Sequence, residues 1–150
     1  THIVMKKIFI ISAIIAICSV SHGQGDPQQI LAENNANEGK MVFTLSMEEF
    51  SDLDEEDLDG TYKLLYENGS ISEIRSFEKG ELDGTWVQYD QNQQIVAIAN
   101  YKNNKKHGRW IIWDKNGMKR YEIEYEHGKR TGTWKSWDED GNLVNTEIYK

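Results

Sequence analysis

The sequence predicts an all-β protein: an antiparallel meander of 24-residue β-hairpin repeats forming an extended, twisted single-layer sheet. Three observations carry this expectation. Gly60, Gly84, Gly108 and Gly132 lie 24 residues apart, and each opens a glycine-x-aromatic phrase ending in Tyr62, Trp86, Trp110 or Trp134. Phe77, Tyr101, Tyr125 and Tyr149 share a second place in the same period, and Gly80, Asn104 and Gly128 a third. No stretch after residue 60 has helical periodicity, and the single proline, Pro27, precedes the array. A fixed period over four units is the mark of a repeat architecture, in which each unit relies on its neighbours to bury a core.

The elements follow in order. Met5-Lys6-Lys7 and the apolar run from Ile8 to Val20, with small residues at Ser21 and Gly23, have the form of a signal peptide over residues 1–23, with residues 1–4 extraneous to it. The expected location is therefore periplasmic or extracellular. The run is too short for a membrane span, so no stable span is expected after cleavage. The only cysteine, Cys18, lies within this segment, and bulky Ile17 beside it argues against lipidation. A mature chain without it has neither disulfide nor thiol chemistry.

Residues 24–40, rich in Gln and Asn, read as a polar linker. Residues 41–59 form an N-terminal capping segment: Met41 to Leu45 is β-prone, and Ser46 to Glu49 has the spacing of a helix capping box. The rest, up to Asp59, is an acidic loop expected to be solvated and mobile. Leu58-Asp59-Gly60 matches Leu82-Asp83-Gly84, so residues 47–59 read as a degenerate half-unit closing the array.

From residue 60 to 150 each unit holds two strands, eight or nine in all with the cap. First strands run near 85–89, 109–113 and 133–137; return strands run near 71–77, 94–101, 118–125 and 142–149. Turns such as Asp114-Lys115-Asn116-Gly117 carry the Asx and glycine chemistry of hairpins.

The frame Gly-x-Trp-x-x-(Tyr or Trp)-x-x-x-Gly with a later Tyr-x-x-Gly resembles the MORN-repeat variant family of bacterial, antitoxin-like repeat proteins. The resemblance covers residues 60–150. It implies an extended β-hairpin array used for binding, and the antitoxin label implies neutralising a partner protein. The export signal departs from the picture of a cytoplasmic antitoxin.

Charge is uneven. Residues 24–100 carry 4 basic and 17 acidic side chains, residues 101–150 carry 11 and 8, so the halves stand at −13 and +3. An acidic chain is a poor nucleic-acid binder, because phosphate contact needs cationic surface, while the asymmetry can steer a charged partner.

Side chains three apart in a strand face opposite ways. The aromatics therefore form two rows, Tyr62-Trp86-Trp110-Trp134 and Leu65-Tyr89-Trp113-Trp137. The second weakens to leucine and is expected to be the exposed one, making Tyr89, Trp113 and Trp137 binding candidates as an aromatic ladder. Lys105, Lys106 and Arg109, with Lys102, form a small basic patch beside Trp110 and join them. No metal and no cofactor are expected. In the acidic run, Gly60 at the obligatory glycine puts Tyr66 where an EF-hand needs Glu, and His107 and His127 are loop residues without a third ligand type nearby. Catalysis finds no constellation: no mature cysteine, no Gly-x-Ser-x-Gly elbow and no His-Glu-x-x-His pair. The sequence thus reads as an exported, non-enzymatic repeat protein that binds a protein partner. Glycan stacking on Tyr89, Trp113 and Trp137 is the alternative.

Overall fold

The computed structural model describes residues 40–150. Residues 1–39, on which the expectations of a signal peptide and most of the polar linker fall, lie outside them, as does Cys18. The described chain is one sheet of eleven strands. After β1 (Val42–Ser46) come helix α1 (Met47–Ser51) and a 3-10 turn (Glu55–Asp57). Then follow β2 (Gly60–Leu65), β3 (Ile71–Glu78), β4 (Glu81–Leu82), β5 (Gly84–Tyr89), β6 (Ile95–Lys102), β7 (Lys105–Lys106), β8 (Gly108–Trp113), β9 (Lys119–Glu126), β10 (Lys129–Trp137) and β11 (Leu143–Tyr149). Nine of them run in chain order, β1-β2-β3-β5-β6-β8-β9-β10-β11, with the two-residue strands β4 and β7 pairing with β3 and β6.

The array is the expected antiparallel meander, and the departure is at its front. β1 pairs with β2 in parallel, Val42 opposite Thr61 through Ser46 opposite Leu65. A parallel neighbour needs a crossover, and residues 47–59 supply it. The acidic stretch expected as a mobile loop is folded. Ser46 caps α1 in the predicted capping box, its Oγ accepting from the Glu49 N–H while the Glu49 carboxylate accepts from the Ser46 N–H. The 3-10 turn then packs so closely on the β3–β4 turn that a Cβ at Gly80 would sit 2.9 Å from the Glu55 carbonyl oxygen. Asn104 holds the same place one unit on, where no such cap lies above it.

Two register devices recur. Each long hairpin carries a register shift near its tip, at Leu64/Leu65, Gln88/Tyr89, Ile112/Trp113 and Ser136/Trp137. Between units the chain reverses through two residues with positive φ, as at Asn103 (48°) and Asn104 (62°). That is the two-residue turn whose twist matches the strands. Bulges bend a strand and tighten its twist, so a repeated bulge bends the sheet repeatedly in the same sense.

The core has two parts on opposite faces. Under the cap, Leu58, Tyr62, Leu64 and Phe77 are buried, with Phe43, Leu45, Phe50 and Leu82 against them. In the middle units Val87, Ile95, Ile98, Ile111 and Trp113 are buried, with Ile74 and Tyr89 against them. Val87 and Ile111 hold the period position filled by Lys63 and Lys135 in the outer units. The second core is therefore confined to the centre of the array. Among the described residues no helix is long and apolar enough to cross a membrane.

Candidate functional site

The face shared by Tyr62, Trp86, Trp110 and Trp134 carries a second row, Phe77, Tyr101, Tyr125 and Tyr149, from the return strands. Pairing explains why the two rows meet. Each return-strand ring lies directly opposite a glycine: Phe77 opposite Gly60, Tyr101 opposite Gly84, Tyr125 opposite Gly108 and Tyr149 opposite Gly132. From that register the ring reaches diagonally to the indole two residues beyond the glycine. The centroids are 5.7 Å apart for Trp86–Tyr101, 5.2 Å for Tyr101–Trp110 and 5.3 Å for Trp110–Tyr125. The last pair, Trp134–Tyr149, stands at 6.3 Å.

Cations interleave these rings. Lys106 Nζ lies 4.4 Å from the Trp110 ring centre and 5.1 Å from that of Tyr125. The Arg130 guanidinium lies 4.7 Å from the Trp134 ring and 5.6 Å from that of Tyr149, and it donates to the Tyr149 hydroxyl at 3.1 Å. Bonds to the Tyr149 and Tyr125 hydroxyls push the Arg130 pKa up. At the front, Arg75 covers both Phe50 and Trp86 at 5.4 and 5.0 Å. Glu73 holds it there, pairing with its guanidinium at 2.7 Å and accepting from Trp86 Nε1 at 3.0 Å. Such contacts stabilise by about 0.5–1 kcal/mol each where exposed.

The site is thus four rungs on one period: Leu58, Tyr62, Phe77; Leu82, Trp86, Tyr101; Lys106, Trp110, Tyr125; and Arg130, Trp134, Tyr149. In the first two the leading position is leucine, and in the last two it is a cation. Cap residue Phe50 closes the first rung, 5.6 Å from Tyr62 and 6.1 Å from Phe77.

The row expected to be exposed is on the other face and is partly core. Trp113 is 4% exposed, inserted among Val87, Ile98 and Ile111. Tyr89 packs against the same cluster, and burial pushes its phenol pKa up. Trp137 is half-buried with Lys119 Nζ 4.4 Å from its ring centre. The expected exposed ladder is therefore corrected at Trp113, which is core, while Tyr89 and Trp137 are half-buried. The burial of Trp113 follows from Val87 and Ile111, which bring an apolar surface to that face. Of the basic candidates, Lys106 joins the ladder, whereas Lys105 and Arg109, each one residue out of phase with it, project away. Lys102 pairs with Asp83 at 2.8 Å, and that bond raises its pKa.

Arg75, Arg130 and the tyrosine row were not picked as site residues from the sequence, although a signal for Arg130 was present. Lys106-x-Gly108-x-Trp110 and Arg130-x-Gly132-x-Trp134 alternate with period two, which puts cation, glycine and indole on one face. His107 and His127 stack at 5.2 Å. Among the described residues no group of three His, Cys, Asp or Glu side chains is placed to hold a metal.

The sequence pattern of the MORN repeat variant family matches residues 58–79, 82–103, 106–127 and 130–150. The chain belongs to the MORN repeat variant family. No curated protein matches it. The MORN units so delimited begin at Leu58, Leu82, Lys106 and Arg130, the leading residues of the four rungs. MORN repeats are in general non-catalytic modules that bind proteins or membranes.

Proposed function

We propose that this MORN-repeat chain is an exported, non-enzymatic binding protein whose partner is another protein, seated on the cation–aromatic ladder. The observation that supports this reading most is the change along that face. Phe50 closes the first rung, while the third and fourth rungs present half-buried rings under the exposed cations Lys106 and Arg130. Rigid aromatic rings beside cations are the residue types that carry the energy of protein interfaces. The basic start and apolar run of residues 5–20 support export to a periplasmic or extracellular location. Neutralising a partner protein is the specific form this binding takes under the family resemblance. Glycan stacking finds less support: Trp113 is in the core, and cations cover the ladder indoles that a sugar ring would need.

The test is capture of envelope proteins on the immobilised mature chain, compared with Lys106→Glu/Arg130→Glu and with the control Lys105→Glu/Arg109→Glu. The reading expects specific capture that the first pair abolishes and the control leaves intact. Equal capture by all three would move the partner off the ladder. Capture surviving protease treatment of the extract would replace the protein partner by a glycan.

A further inference from the structure

We infer that the third and fourth rungs take a short acidic segment of the partner protein carrying an aromatic side chain, docked as this chain's own cap is docked on the first. The inference rests on the ladder being the protein-binding face. The chain supplies the template: α1 is Met47-Glu48-Glu49-Phe50-Ser51, an acidic turn that lays one phenyl ring on the ladder. Phe50 meets Tyr62 edge-on and Phe77 at a tilt, and the Arg75 guanidinium covers its other side. Ring-on-ring contact with a cation over the inserted ring is thus the way this face is occupied within the molecule.

The later rungs keep that chemistry, and no ring of another segment among the described residues lies on them as Phe50 lies on the first. Their rings meet as in the first, and the leading leucine becomes Lys106 or Arg130. Arg75 is neutralised by Glu73 at 2.7 Å. Among the described residues neither Lys106 nor Arg130 is within ion-pair distance of a carboxylate. Glu147 accepts from the Tyr149 hydroxyl at 2.6 Å, the same hydroxyl that accepts from Arg130, and from Asn145 at 3.1 Å. Two cations held over rings without a direct ion pair select for carboxylates, and the +3 balance of residues 101–150 extends the preference. Equivalent positions of successive units are about 10 Å apart, two strand spacings. A pair of carboxylates matching Lys106 and Arg130 is then about three residues apart in an extended segment, or about seven in a helical one.

The probe is a synthetic peptide of this chain's residues 47–59, which contains Phe50 and the acidic run, titrated onto the mature full-length protein and followed by calorimetry. Expected are saturable binding that weakens with salt, about tenfold weaker binding to Lys106→Glu/Arg130→Glu, and unchanged binding to Lys105→Glu/Arg109→Glu. A peptide carrying Phe50→Ala should lose most of the affinity. Absence of binding, or equal binding to the ladder variant, overturns the acidic–aromatic assignment. If the ladder variant still loses its captured protein while the peptide fails, the protein-binding reading survives and only the partner chemistry falls. Circular dichroism and Tm confirm that each variant is folded. Concentration-dependent dimerisation of the wild type, abolished by the ladder variant, would name a second copy of the chain as the occupant and overturn a separate partner.

Discussion

The first and last rungs are built from the same repeat positions and end in opposite surroundings. Tyr62 and Phe77 are 5% and 6% exposed, covered by α1 and flanked by β1. Trp134 and Tyr149 are half-buried, on β10 and on β11, the latter exposed over almost its whole length. The difference teaches that the MORN motif specifies ring meeting ring over a glycine and leaves the covering to what lies outside the repeat. Where the chain supplies a cap, the rung becomes core. In the last two rungs, without a cap, the same positions form a surface with cations in place of leucine.

Four experiments break or sharpen this contrast. Phe77→Ala is expected to cost about 3–5 kcal/mol in urea unfolding, against about 1 kcal/mol for Tyr149→Ala, whose ring is partly solvated and loses little burial. Equal costs would show that the cap does not distinguish the two ends. Phe50→Ala removes only the lid, and a loss of about 1.5 kcal/mol is expected for a ring that is not fully buried. Binding of an apolar dye should rise with it, and an unchanged dye signal would mean that Phe50 does not seal the first rung.

Indole hydrogen bonding gives a finer comparison. Trp110 Nε1 donates to the Asn100 carbonyl at 2.9 Å, whereas Trp134 Nε1 is buried with no acceptor among the described residues. Trp110→Phe should cost about 1 kcal/mol for that bond, and Trp134→Phe should be about 0.5 kcal/mol or less, since an unpaired donor is removed. A reversed order would contradict the geometry.

The smallest effect is on pH dependence. Bonds from Ser46 hold the Glu49 carboxyl below its ordinary 4.5, and bonds from Asn142 hold Asp138 below 3.8. A lowered carboxylate pKa stabilises the fold above the unfolded value and loses that contribution as pH falls through the folded one. Tm should therefore decline on acidification below those ordinary values, with Ser46→Ala flattening the part due to Glu49. At the alkaline end, burial raises the Tyr62 and Tyr89 phenols above 10.0. That contribution is complete below pH 10.0 and fades as pH rises through the raised values.

The repeat frame, the hairpins and the capping box were legible because each is local: a glycine every 24 residues, an Asx turn, a serine three residues before a glutamate. Which ring of each row would be buried, Tyr62 in one and Trp113 in the other, was not legible from the rows themselves. Tyr89, Trp113 and Trp137 looked like the weaker row because it starts at Leu65. The burial of Trp113 follows from Val87 and Ile111 beside it, whereas Trp137 stands in the unit where Lys135 takes their place. The parallel entry of β1 was hidden for a related reason. The acidic run reads as solvated, and only Phe50 and Leu58 within it betray a segment that packs. Lys106 was picked for its charge, but its role over Trp110 follows from its phase relative to Gly108.

One bond pattern reaches beyond the present four units. The Gly80 N–H donates to the Leu58 carbonyl, Asn104 to Leu82 and Gly128 to Lys106, always between a turn and the opening residue of the unit before. Each unit thus offers its successor the same socket that it occupies in its predecessor. A tandem copy of 24 residues inserted at a unit boundary would leave no such donor or acceptor orphaned, and would lengthen the ladder by about 10 Å. Gene duplication can therefore change the reach of this protein without redesigning any contact, and the cap needs to be invented only once.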